Sequence, residues 1–282
     1  MSTQVASPRN AAPAHALPPS AGRSLAAVVR RGLRDQRRAP LTWGGGLGAM
    51  GALMAAIWPS IEGQMQNLMQ SYPESLKTAF GITELNSVER YVDAEMLSLI
   101  VPLAVAFFAV RCVTNALVGA EERGHLDTLL TLPLSRRVLV AGTFVVTGIS
   151  AAAILAVIWA LTWVTGTIAG TGISATTLGS GVVNVWPLAM VFAGLAVLAS
   201  GVVHRPATVT AIATGTLLGM YVIDLVGKLS DAVEPFRVIS AFRYYGSAIQ
   251  NGLDLSHVAG LTIAALIAAT AGALLFERRD VR

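Results

Sequence analysis

Six apolar runs, each long enough to cross a lipid bilayer, decide what this chain can fold into. They lie at about Leu41–Ile57, Met96–Gly119, Val138–Val164, Val182–Val203, Ala207–Val226 and His257–Phe276. A helix needs about 20 residues to span ~30 Å of hydrocarbon. The first run is the shortest and is rich in glycine. Hydrophobic residues make up 54% of the chain and charged residues 13%, where a soluble domain carries roughly 25% charged residues. In hydrocarbon, only a helix or a closed barrel satisfies its own backbone groups. A barrel would show alternation in ~10-residue strands, and these runs do not alternate. The expectation is an all-α polytopic membrane protein. It has six transmembrane helices, an N-terminal amphipathic elbow helix and short extracytoplasmic helices.

The unequal distribution of Lys and Arg sets the orientation. Fourteen of the 20 basic residues lie before the first run, in 121–137, at Arg205 or after the last run. Five lie in the opposite connections: Lys77, Arg90, Lys228, Arg237 and Arg243. Both termini are therefore expected in the cytoplasm. The high pI of 9.6 belongs to this asymmetry. It marks a membrane surface, and no motif argues for nucleic acid.

The chain divides accordingly. Residues 1–23 are expected to form a disordered cytoplasmic tail rich in Ala, Pro and Ser, without the apolar core of a signal peptide. Residues 24–39 read as an amphipathic interfacial helix with Ser24 as N-cap. Leu25, Val28, Val29 and Leu33 form its apolar stripe, and Arg30, Arg31, Arg34, Arg37 and Arg38 lie mostly opposite. Such a helix suits the inner membrane surface, held by anionic lipid. Residues 41–276 form the six-helix transmembrane domain, and 277–282 a cytoplasmic tail.

Four segments carry a family pattern. The stretch Glu121-Glu122-Arg123-Gly124-His125-Leu126-Asp127-Thr128-Leu129-Leu130-Thr131-Leu132-Pro133-Leu134-Ser135-Arg136-Arg137 is charged and Leu-striped. Pro73-Glu74-Ser75-Leu76 and Phe80-Gly81 follow the first run. Phe236, Phe242, Tyr244 and Tyr245 cluster between the fifth and sixth runs. The chain ends Phe276-Glu277-Arg278-Arg279-Asp280-Val281 before its last residue. Taken in order, these segments resemble the ABC-2 type transporter permeases, the membrane-spanning subunits of ABC exporters. His125 stands where that family usually has Thr, and Ala241 where it usually has Pro.

The resemblance implies a docking segment for a separate ATPase, carried here by Glu121, Glu122, Gly124, Leu126, Leu129, Leu130, Pro133 and Arg136. It implies an assembly of two permease subunits, as homodimer or paralogous heterodimer, with two ABC ATPase subunits. ATP and Mg would sit in the ATPase, with no cofactor on this chain. It also implies export across the bacterial plasma membrane of a substrate such as a hydrophobic drug, antibiotic or lipid. The elbow helix would border the ATPase. Phe236, Phe242, Tyr244 and Tyr245 are candidates for an outer gate, with an interfacial aromatic belt as the plain alternative.

The residues also say what is missing. A Walker A loop needs Gly-x-x-x-x-Gly-Lys-Ser/Thr. The only lysines are Lys77 and Lys228, and neither sits in such a loop. His-Glu-x-x-His and Gly-x-Ser-x-Gly are absent, and Cys112 is the only cysteine. A non-enzymatic transport subunit is expected. A secondary transporter or channel without an ATPase is the alternative, and a membrane-embedded enzyme comes third. Arg111 is a charge inside the second run. It either snorkels to the headgroups or forms an ion pair in one transport state. Asp224 and Lys228 are spaced for a local pair. Gly44/Gly48, Gly166/Gly170 and Gly215/Gly219 form three Gly-x-x-x-Gly pairs, the first a candidate dimer contact.

Overall fold

The computed structural model describes residues 21–71, 87–122 and 135–278. Every regular element within them is helical. The chain runs α1 (Ala21–Asp35), a π-helical turn (Pro40–Gly44), α2 (Gly45–Ser71), α3 (Val88–Val92), a second π-helical turn (Asp93–Leu97) and α4 (Ile100–Glu122). It continues with α5 (Arg136–Ile168), α6 (Ala175–Ser200), α7 (Pro206–Leu229), a 3-10 turn (Glu234–Ile239), α8 (Ala241–Tyr245), α9 (Ala248–Asn251) and α10 (Leu255–Glu277).

Six helices are long and apolar enough to cross a membrane, as the runs predict: Pro40–Gln64, Ile100–Gly119, Arg136–Ile168, Ala175–Ser200, Pro206–Leu229 and Leu255–Glu277. Most bounds shift by a few residues, and two differ more. The first helix continues through Pro59 to Ser71, fusing the first span with the helically spaced residues after it. The fourth begins at Ala175 rather than Val182. Ser174 caps it, accepting from Thr177 N at 3.3 Å, and its early polar groups find partners. Ser180 donates to Thr177 O at 2.7 Å, and Asn184 to Tyr245 O at 2.6 Å.

The core lies around α4 and α6. Within their apolar windows 61% and 67% of residues are buried, against 22% for both α7 and α10. So α7 and α10 form the outside of the bundle. In lipid, helices associate through close packing rather than hydrophobic exclusion of water. Glycine brings backbone against backbone between α6 and α10. A Cβ on Gly272 would fall 2.6 Å from Leu198 N, and one on Gly194 would fall 2.5 Å from Ala265 O.

A second seam runs along α5. A Cβ on Gly142 would meet Val28 at 2.5 Å, and one on Gly32 would meet Val146 at 2.7 Å. Further along, a Cβ on Gly44 would meet Val157 at 2.9 Å, one on Gly48 would meet Leu161 at 2.8 Å, and one on Gly51 would run into the Thr162 hydroxyl. Thus α1, the π-helical turn and α2 follow α5 as one parallel line. Two expectations change here. The apolar stripe of α1 packs lengthwise on α5, with Leu25, Val28, Val29 and Leu33 half-buried, so that stripe is not free to lie on lipid. Gly44 and Gly48 serve this internal seam and are not open for a dimer contact. Ser24 lies inside α1 and is buried, not at its cap.

Candidate functional site

The bundle has two ends. The basal end carries α1, the start of α5 and the end of α10. The distal end carries α3, the 3-10 turn, α8 and α9.

At the distal end the short segments lock into the bundle. Glu89 is buried and accepts from Ser174 N at 2.6 Å. Asp93 is buried and accepts from Ser247 Oγ and from Gln250 Nε2, the latter at 3.2 Å. Burial pushes the Asp93 carboxyl above its ordinary value, and those two hydrogen bonds pull the other way. Gly246 has φ 51°, a left-handed conformation that suits glycine. It turns the chain between Tyr245 and Ser247, both of which bond inward.

The four aromatic residues expected at an outer gate divide. Phe242 and Tyr245 are buried. Phe242 sits edge-on to Tyr221 at 5.4 Å and lies 6.3 Å from Phe192. Tyr245 donates its hydroxyl to Leu97 O at 2.7 Å. Tyr244 is half-buried, donates to Val238 O at 3.1 Å and meets the His257 ring edge-on at 5.6 Å. Phe236 points outward, 60% exposed. So Phe242 and Tyr245 belong to the packed seam under the distal end, and Tyr244 to its rim.

Asp224 is buried near the distal end of α7. It pairs with Lys228 at 2.9 Å, as the spacing predicts, and also with Arg237 at 3.0 Å. Two cations on one carboxylate tie α7 to the 3-10 turn.

At the basal end, Glu121 and Glu122 close α4. Gly124, Leu126, Leu129, Leu130 and Pro133 lie outside the described residues, as does the Pro73–Gly81 segment. The chain re-emerges at Ser135, which caps α5 by accepting from Val138 N at 3.4 Å. Arg136 then donates to Phe276 O at 3.3 Å and to Glu277 O at 3.5 Å, and Arg137 pairs with Glu277. Arginines at the last carbonyls of a helix suit its dipole. Arg136 thus clamps the end of α10 to the start of α5, where the segment expected to dock an ATPase ends.

The family is decided by one comparison. Residues 26–277 match the model of the C-terminal domain of the multidrug efflux system permease Rv1217c. The chain belongs to this family. No curated protein matches it. As a member of a multidrug efflux permease family with six apolar helices, it is a multi-pass membrane transport protein. Among the described residues of this permease, no group of three or more His, Cys, Asp or Glu side chains gathers.

Arg111, singled out from sequence, lies on an exposed face of α4. No acidic side chain pairs with it among the described residues. Sequence reasoning missed the Asp93, Ser247 and Gln250 cluster and the Asn184 bond. These residues stand far apart in the chain, and no local spacing marks them.

Proposed function

We propose that this chain is the membrane path of an ATP-driven exporter of the ABC-2 type. A separate ATPase docks at the basal end. The observation that carries the proposal is the match to a multidrug efflux permease over 26–277, taken with the Glu-Glu-x-Gly and Leu-Leu-x-x-Pro-x-x-Arg pattern between α4 and α5. The clamp of Arg136 and Arg137 on α10 supports a mechanical role for this end. A push on the loop would reach α5 directly and α10 through Glu277.

In this reading two permease chains and two ATPases assemble, and the termini lie in the bacterial cytoplasm. ATP and Mg act in the partner. ATP closes the ATPase pair, and differential affinity for the two states shifts the permease between inward and outward forms. The distal seam of Asp93, Ser247, Tyr245 and Phe242 is the closed outer gate. The substrate is a hydrophobic drug, antibiotic or lipid.

The test is a paired measurement on the full chain with its cognate ATPase. Leu129→Asp should lower co-purification and substrate-stimulated hydrolysis while the thermal midpoint of the permease in detergent holds. Glu122→Arg should weaken the same contact by charge. Normal co-purification and normal coupled hydrolysis in both variants would remove the segment from the mechanism. A loss of permease stability alone would mean that Leu129 packs only within its own chain.

A further inference from the structure

The residues just before the second span, α3 and the π-helical turn after it, form one helical piece, 88–97. Val88, Glu89, Val92, Asp93, Met96 and Leu97 are buried on its inner side. Along that side every fourth residue makes a polar contact with another part of the bundle. Glu89 accepts from Ser174 N, at the cap of α6. Asp93 accepts from Ser247 Oγ, at the cap of α9, and from Gln250 Nε2 within α9. The Leu97 carbonyl accepts from the Tyr245 hydroxyl. Residues 245–250 supply all but the first of these donors.

The piece meets α4 between Ser98 and Leu99. Ser98 N bonds back to Asp93 O at 2.8 Å, whereas Leu99 O accepts from Leu103 N at 3.2 Å. Pro102 has no N–H, so the Ser98 carbonyl lacks the donor that an unbroken helix would give it. A proline and a π-helical turn are two places where helices bend, and here they stand side by side.

The contacts that hold the piece down are polar. Glu89 and Asp93 are buried, and among the described residues no cation pairs with either. A buried carboxylate held by neutral donors alone gives up hydration that its hydrogen bonds only partly replace. Lifting the piece returns both carboxylates to water, which offsets the bonds lost.

We propose that residues 88–97 are a hinged strap that closes the distal end and lifts as one piece about Ser98 and Leu99 to open it. The proposal rests on the reading of the distal seam as an outer gate, and it names the element that moves.

Buried cysteine reporters test it, in the full chain in nanodiscs with Cys112 replaced. Val88→Cys and Val92→Cys lie on the strap, and Val105→Cys lies beyond the joint on α4. The rate of labelling by a water-soluble maleimide is measured. In the permease alone, Tyr245→Phe removes one donor and keeps the ring. It should speed both strap reporters together by roughly fivefold, the shift that losing one hydrogen bond gives, and leave Val105→Cys slow. Ser247→Ala should act in the same direction. Gly272→Ala strains the seam between α6 and α10 instead, so it should lower the thermal midpoint and leave the strap reporters slow. No rise at either strap reporter, a rise at Val92→Cys alone, or an equal rise at Val105→Cys would overturn the strap. This arm needs no ATPase, so its failure leaves the exporter reading standing. With the cognate ATPase present, ATP and Mg should speed both strap reporters in the unsubstituted seam. Unchanged labelling during substrate-stimulated hydrolysis would overturn the strap as the gate. Failure of the ATPase to bind would instead overturn the exporter reading on which the gate rests.

Discussion

Asp93 shows how single residues build the distal seam. It is a buried carboxylate held by two donors from a segment more than 150 positions away. Removing the acceptor with Asp93→Ala leaves Ser247 and Gln250 unsatisfied and should cost about 1–3 kcal/mol. Asp93→Asn keeps an acceptor and removes the charge, which isolates the titration. Burial raises the folded-state carboxyl above its unfolded value. As pH rises, the unfolded chain therefore gives up this proton first. The stability contributed by the group is fully present below the ordinary carboxylate value. It falls as pH climbs from there to the raised folded value, and is flat above it. The thermal midpoint of the wild type, measured relative to Asp93→Asn, should rise on acidification through that window. A difference that stays constant with pH would contradict this account of Asp93.

At the scale of elements, glycine position decides which helices touch. Gly272 lies against the backbone of α6 at Leu198, where nothing can rotate away. Gly272→Ala should overpack the seam and destabilise by about 1–3 kcal/mol or more. Gly215→Ala and Gly219→Ala meet nothing within 4 Å and should change stability by about 0.5 kcal/mol or less. Thermal melts of the three variants in one detergent check the contrast. Equal losses in all three would contradict the packing described. The helices themselves were legible in the sequence, because ~20 apolar residues admit one structure in lipid. Their partners were not. Gly44 and Gly48 have the spacing of a dimer motif yet face α5 in the same chain. Gly194 and Gly201, which make the tight contact with α10, stand seven apart and carry no such signature. The stripe of α1 was legible, and its use was not, because period alone does not distinguish lipid from a neighbouring helix. At the candidate site, the Asp224–Lys228 pair followed from i,i+4 spacing. The third partner, Arg237, comes from the next connection and left no local mark.

At the scale of the whole molecule, six candidate spans put both termini at one end, and we propose from the charge asymmetry that this end faces the cytoplasm. With Cys112 replaced, Ser75→Cys and Asn251→Cys should react with an impermeant thiol reagent outside intact cells, and Thr131→Cys should not. Labelling of Thr131→Cys from outside would invert the molecule and place the docking segment where no cytoplasmic ATPase reaches it. We propose that this permease moves substrate only when a separate ATPase drives it. The most direct measurement uses proteoliposomes containing the permease with its cognate ATPase, loaded with a fluorescent hydrophobic drug. Drug movement and phosphate release are followed together. The account predicts transport that requires ATP, Mg and both proteins, with no hydrolysis by the permease alone. Drug movement driven by an ion gradient without the ATPase, or hydrolysis by the purified permease, would contradict it.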